Sequence, residues 1–296
     1  MAIGTIRKGQ IIKGVAGKYT VKTDDGEILR CFARGKLREN GALYVGDEVD
    51  VEVSASECVI KDVYPRSSML VRPYVSNIDG IVIVVSPVPK PDFLLVDKLI
   101  ISCLQQGIDS VLCVNKCDLQ GTDELYAAAK KEYGEITTVI LTCAEDGRGI
   151  DELRQIISGR YYCLAGQSAV GKSSLVNALV GDKIMETGEI GEKSGRGKHT
   201  TRHVEIVEFE DGTKIADTCG FSMFEIPLFD PMFLSGYYID FDKYRDNCRF
   251  RGCTHTVEEC CGVKEAVELG QIPAERYERY LKLYEEFNKR WEKRYG

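Results

Sequence analysis

The sequence predicts a multidomain chain: an N-terminal β-barrel, a central α/β domain built on a parallel sheet, and a C-terminal, mainly α domain. Three observations predict it. Short β-type runs separated by turn residues fill the first 66 positions. Apolar strands alternate with amphipathic helices from about residue 80. A tight group of cysteines, followed by a helix with an aromatic stripe, fills the end.

At 296 residues and 44% apolar side chains the chain can fill two or three ordinary cores, and the expected boundaries are 1–66, 67–226 and 227–296. No apolar run reaches membrane-spanning length, and the opening Met1-Ala-Ile-Gly-Thr-Ile-Arg-Lys8 lacks the apolar stretch of a secretory signal. A soluble, cytoplasmic protein with no membrane partner is expected. The net charge of −7 divides as +1, −7 and −1 over the three segments, so bulk charge gives no support for a nucleic-acid partner. Of the twelve cysteines most stand singly in apolar runs, as Cys113, Cys143 and Cys163 do, where a reduced thiol behaves as a small hydrophobe.

In the first segment the runs near residues 9–14, 18–22, 27–32, 48–53 and 58–63 are separated by Asp24-Asp25-Gly26, Asn40-Gly41 and Gly46-Asp47. Five such strands in about sixty residues fit a small barrel of the oligonucleotide-binding (OB) type, although an SH3-like barrel would read similarly. Arg30, Arg34, Lys36 and Arg38 are placed to face a phosphate backbone, with Phe32 or Tyr44 to stack on a base. A solvated basic loop explains the same charges. Pro65-Arg-Ser-Ser68 reads as a linker.

Beyond it Gly80–Ser86 is a buried strand, Phe93–Gln106 an amphipathic helix and Ser110–Val114 a strand. A helix over about 122–133, a strand over 136–141 and a helix over 149–158 follow. The strand-like Tyr161–Ala165 then leads into Gly166-Gln167-Ser168-Ala169-Val170-Gly171-Lys172-Ser173, with Ser174 and a helical run behind. This is the phosphate-cradling pattern in the strand–loop–helix setting that it needs. Its glycines let successive N–H groups approach an anion, Lys172 would reach the β- and γ-phosphates, and Ser173 would ligate Mg²⁺. A Gly/Ser turn ahead of an ordinary helix is the plainer reading.

Asn115-Lys116-Cys117-Asp118 stands at the end of another strand of that sheet, where ligands of parallel sheets bind. A carboxylate at Asp118 can accept from both N1–H and the 2-amino group of guanine. Adenine offers no such pair, so GTP and GDP are expected rather than adenine nucleotides. Asn115 and Lys116 would brace the loop, and the main chain at Thr142-Cys143-Ala144 would donate to guanine O6; a helix cap is the plainer role for Asp118. Residues 181–202 are rich in glycine and charge, as a segment closing over γ-phosphate would be, or a surface loop, and they end in His199-Thr200-Thr201-Arg202. The hairpin after them delivers Asp217-Thr218-Cys219-Gly220, with Asp217 expected to hold Mg²⁺ through water and the Gly220 N–H to meet the γ-phosphate. Phe221 follows where many GTPases carry a water-orienting Gln. His199 is therefore the candidate to orient the attacking water, beside Thr200 and Thr201, one of which would ligate Mg²⁺. A solvated loop histidine remains the plain alternative.

The last segment carries Cys248-x4-Cys253-x-His255-x5-Cys261, four soft ligands in fourteen residues, which suits one closed, tetrahedral structural zinc ion. Cys260 competes with Cys261 for the fourth place. Buried thiols or a disulfide are the alternatives, the second disfavoured in a reducing compartment. Tyr277, Tyr280, Leu281, Tyr284, Phe287 and Trp291 then recur along a helix starting near Pro273, a stripe that suits packing against the metal module more than RNA contact. Loss of one ligand is expected to unfold residues from about 227 onward and to spare nucleotide binding.

The order of the motifs, 115–118, 142–144, 166–174, 200–201 and 217–220, is a circular permutation of the usual GTPase order. With the barrel ahead and the cysteine cluster behind, the whole chain resembles the ribosome small-subunit-dependent GTPase A (RsgA) family. That resemblance implies an OB-fold barrel, a permuted P-loop GTPase domain and a zinc-binding domain, with Cys261 rather than Cys260 as ligand. It implies hydrolysis of GTP to GDP and phosphate with Mg²⁺, in late maturation of the small (30S) ribosomal subunit, stimulated by that subunit and its 16S rRNA. A monomer is expected. The chain departs from the family at Cys219, where Pro is usual, and at Arg202, where a third Thr is common; neither removes a phosphate or metal ligand. Two other functions fit some of the motifs. A metallochaperone GTPase would need an exchangeable ligand position, and a large-subunit assembly GTPase would not need this barrel and metal domain.

Overall fold

A computed structural model describes residues 4–15, 17–33, 37, 42–55, 57–71, 73–181, 204–217 and 224–295. Five strands come first: β1 (Thr5–Val15), β2 (Lys18–Thr23), β3 (Ile28–Ala33), β4 (Glu48–Val53) and β5 (Cys58–Val63). They hydrogen-bond in the order β1-β2-β3-β5-β4, and β4 returns to β1, so the barrel closes and no strand edge is left unpaired. Only β3 and β5 run parallel. Strict alternation along β3 sends Leu29, Cys31 and Ala33 inward and leaves Ile28, Arg30 and Phe32 outside.

One expectation for this part is corrected. Tyr44 is not a surface platform: its ring is buried, 5.0 Å from the Tyr74 ring and under the Arg66 guanidinium at 3.9 Å. Arg66, within the connection 65–68, is anchored in turn. It holds both oxygens of the fully buried Asp47, at 2.7 and 2.8 Å, and donates to Ala42 O at 2.8 Å.

After a short pair, β6 (Met69–Leu70) and β7 (Val75–Ser76), the α/β domain is laid down. Its elements are β8 (Gly80–Val85), α1 (Phe93–Gln106), β9 (Asp109–Val114), α2 (Thr122–Tyr133), β10 (Thr138–Leu141), α3 (Ile150–Ile157), β11 (Tyr161–Ala165), α4 (Lys172–Val180), β12 (Glu205–Glu208) and β13 (Lys214–Asp217). Strands β10-β9-β8-β11-β13 form the parallel sheet, and β8 and β11 are buried at every residue because helices cover both faces. On one face Leu95, Leu99 and Ile100 of α1 and Tyr133 of α2 pack on Ile81, Ile83 and Cys163; on the other, Leu153 of α3 and Leu175 and Leu179 of α4 pack on Val82, Val84 and Leu164. Strand β12 lies antiparallel on β13 and places Glu205 opposite Lys13 of β1, which fuses the barrel and this sheet into one eleven-stranded sheet.

The C-terminal part begins with 3-10 turns at Pro231–Tyr237 and Ile239–Phe241, then α5 (Asp242–Arg245), α6 (Gly262–Glu268) and the long α7 (Ala274–Tyr295). Tyr280, Leu283 and Phe287 of α7 are fully buried and share a core with α1.

Candidate nucleotide and metal sites

Residues 115–118, 142–144 and 166–173 leave the carboxyl ends of β9, β10 and β11, and Asp217 ends β13 beside β11. All four groups therefore meet at one edge of the sheet. The phosphate loop is shaped by backbone needs. Gly166 has φ +143°, and a Cβ there would stand 2.2 Å from Val84 O; Gly171 has φ +97°, and a Cβ would stand 2.4 Å from Asn115 Nδ2. Ala169 also holds a left-handed φ of +66°. Lys172 is buried and its Nζ spans the loop, donating to Gly166 O at 2.9 Å and Gln167 O at 2.7 Å, while Ser173 and Ser174 are exposed in the first turn of α4. Gln167 Oε1 accepts from the main-chain N–H of Asp92 at 2.9 Å.

Neighbouring loops lean on this one. Asn115 Nδ2 donates to Val170 O at 2.9 Å and its Oδ1 accepts from Thr142 Oγ1 at 3.1 Å. Lys116, at φ +65°, donates to Ala169 O at 2.6 Å and to Val88 O at 2.9 Å. Asp118 is exposed, and its Oδ1 accepts from the Cys143 thiol at 3.2 Å. Of the three main-chain N–H groups in 142–144, that of Thr142 donates to Val114 O at 2.8 Å and that of Cys143 to Arg148 O at 2.9 Å. Among the described residues, the Ala144 N–H alone of the three has no main-chain partner. The half-buried Cys117 donates its main-chain N–H to Thr142 O at 3.1 Å, which fastens the loops after β9 and β10 together. His199, Thr200, Thr201 and Gly220 lie outside the described residues, as do Arg202, Cys219 and Phe221 and the basic Arg34, Lys36 and Arg38.

Farther along, the ligand atoms of Cys248, Cys253, His255 and Cys261 all lie within 4.8 Å of one another. Cys248 Sγ is 3.6 Å from His255 Nδ1 and 3.9 Å from Cys261 Sγ, and His255 Nδ1 is 3.3 Å from Cys261 Sγ. Tetrahedral zinc bonds would set sulfur–sulfur gaps of about 3.8 Å and sulfur–nitrogen gaps of about 3.5 Å. The donors fit. Cys260 is exposed at a left-handed turn, φ +57°, and stands outside the cluster. Burial pushes the His255 imidazole down to about 4, aided by Arg245, so the ring is neutral and able to ligate. Tyr277 Oη donates to His255 O at 2.6 Å, and Tyr280 Oη donates to Thr254 O, so α7 clamps the ligand loop from behind.

Asp97, fully buried on α1, accepts from Arg276 Nη1 at 2.7 Å, Arg279 Nε at 2.7 Å and Tyr133 Oη at 2.6 Å. Asp240 binds Arg276 at 2.8 and 2.9 Å, and Glu132 binds Arg279. The signal was present in the sequence as a carboxylate inside the apolar run Leu94-Leu-Val-Asp97 and as two arginines three apart beside the aromatic stripe.

The family profile described as RsgA GTPase matches residues 63–227, and that described as RsgA N-terminal domain matches residues 8–60. The small ribosomal subunit biogenesis GTPase RsgA of Agathobacter rectalis is 42% identical over 298 residues, covering 95% of this chain and 98% of that protein. Its counterpart in Alkaliphilus metalliredigens is 38% identical over 288 residues, with the same coverage of 95% and 98%. Among solved structures, YjeQ from Thermotoga maritima superposes with a TM-score of 0.77 at 32% identity, over 96% of this chain and 99% of that one. YloQ, described as a circularly permuted GTPase, gives 0.72 at 30% identity over 97% and 96%.

Proposed function

The chain belongs to the RsgA family of GTPases, and on that premise we propose that it hydrolyses GTP to GDP and phosphate during late maturation of the small ribosomal subunit, stimulated by docking on it. The observation that carries the reading is the meeting of 115–118, 142–144, the phosphate loop and Asp217 at one sheet edge. With nucleotide bound, Lys172 would turn from the loop carbonyls to the β- and γ-phosphates, and Ser173 and Asp217 would hold the Mg²⁺ that offsets their charge. Asp118 reads N1–H and the 2-amino group, and Ala144 N–H meets O6. A water oxygen attacks the γ-phosphorus as the bond to the bridging oxygen breaks, and His199 orients that water.

Cys248, Cys253, His255 and Cys261 would hold one zinc ion, and four protein donors suit a structural rather than a transfer site. The protein works as a cytoplasmic monomer. Its barrel meets 16S rRNA through Phe32, 47% exposed and in register with Lys18, and through the exposed Arg30. The test is the GTPase rate with and without purified small and large subunits. Stimulation by small subunits alone is expected, and stimulation only by large subunits overturns the reading. In the same assay His199→Ala should keep GTP affinity and lose most of the stimulated rate; full stimulation removes His199 from the chemistry.

A further inference from the structure

We infer that Asp97 is a positioning residue for the phosphate loop, acting through the first turns of α1 and the main chain of Asp92 on Gln167. The path is short and continuous. Asp92 caps α1, its Oδ1 accepting from Leu95 N–H at 3.1 Å, and its own N–H is given to Gln167 Oε1 at 2.9 Å. Five residues on, about 7.5 Å along the helix axis, Asp97 is gripped by Arg276 and Arg279 of α7. One residue further, Lys98 Nζ meets Glu286 of the same helix at 2.8 Å. The C-terminal helix therefore holds α1 at the turn next to the one that holds the loop.

Two observations say that this grip sets position rather than only adding stability. Arg276 and Asp97 are almost wholly buried, and burying charge in this way stabilises a fold no better than apolar packing of the same shape, while fixing one geometry. Between α1 and the loop there is a cavity of 410 Å³ lined by Asp92, Leu95, Lys98, Gln167, Ser168 and Phe224. Among the described residues, the hydrogen bond from Asp92 N–H to Gln167 Oε1 spans this space and ties the cap of α1 to the loop, so a shift of α1 is passed to it.

The inference rests on the GTPase reading, so turnover by the full-length wild type is measured first; its absence overturns both. Turnover and KM for GTP are then measured for Gln167→Ala, Asp97→Asn and the double variant. Each single variant should lower kcat about tenfold, as small misplacements at reacting groups do, with KM moving less than about threefold. The double variant should be no slower than the slower single, because both changes cut the same path. Separate sites without shared partners add their effects. Losses that multiply in the double variant, or a single variant with unchanged kcat, overturn the inference and leave the GTPase reading standing. Should Asp97→Asn fail to fold by thermal unfolding, Glu286→Gln, which loosens the same helix contact at a more exposed pair, takes its place in the cycle with the same two outcomes.

Discussion

The Asp118 carboxylate, proposed above to read guanine, is oriented by a thiol, Cys143 Sγ, which donates to Oδ1 at 3.2 Å. The S–H group takes up one lone pair of Oδ1 and leaves the other lone pairs of the carboxylate to accept from a base. Asp118→Asn replaces one acceptor by an NH₂ donor, which clashes with the 2-amino group of guanine but matches the C2 oxygen of xanthine. The variant should shift from GTP toward xanthosine triphosphate in nucleotide competition, with GTP weakened by about 1–3 kcal/mol for the pairing it loses. Binding of ATP by the wild type as tightly as GTP would remove 115–118 from the base pocket. Residues like these are legible in sequence because their chemistry demands a residue type at a fixed spacing. Tyr44 is not: an aromatic near a turn reads as a platform, and only the distant Arg66 and Tyr74 decide that it is buried.

At the scale of elements, the loop 248–261 and helix α7 explain each other. The loop has little regular structure, so its donors converge through turns, with His255 itself at φ +58° and Glu258 accepting from the main-chain N–H of Thr254 and Thr256 at 2.7 and 2.9 Å. The helix then fastens the loop through Tyr277 and Tyr280. The aromatic stripe was legible because helical periodicity is local. The burial of Arg276 and Arg279 was not, since a charge enters a core only when its partners, here Asp97 and Asp240, arrive from elsewhere in the chain. The adjacent cysteines make the sharpest check at this scale. Metal analysis should find one zinc per chain in Cys260→Ser and loss of zinc in Cys261→Ser; zinc lost only from the Cys260 variant would reverse the ligand assignment.

Over the whole molecule, circular permutation is tolerated because the site depends on which loops meet at the sheet edge and not on the path between them. The order of domains was legible from local periodicity, whereas the β1–β12 join was not: Lys13 and Glu205 are 192 residues apart, and no local pattern announces their pairing. That join matters less than the core behind it. Ile11 and Val21 of the barrel, Ile81 and Ile83 of the sheet, Leu99 of α1 and Tyr280 and Phe287 of α7 belong to one continuous buried cluster. The sequence suggested a terminal domain that could unfold alone and spare the nucleotide site; a shared core argues for a wider effect. Structural zinc supplies folding free energy of about 10–16 kcal/mol in small metal-bound units, so its removal should free α7, uncover the side of α1 that α7 covers, and release Asp97 from both arginines. Hydrogen exchange read with and without a chelator should therefore show protection lost over 227–295 and, to a smaller degree, over α1 at 93–106, while β2 and β3 keep theirs. If α1 keeps full protection after the metal is gone, the terminal domain is energetically separate despite the shared core, and the path from the metal module to the phosphate loop does not run through α1.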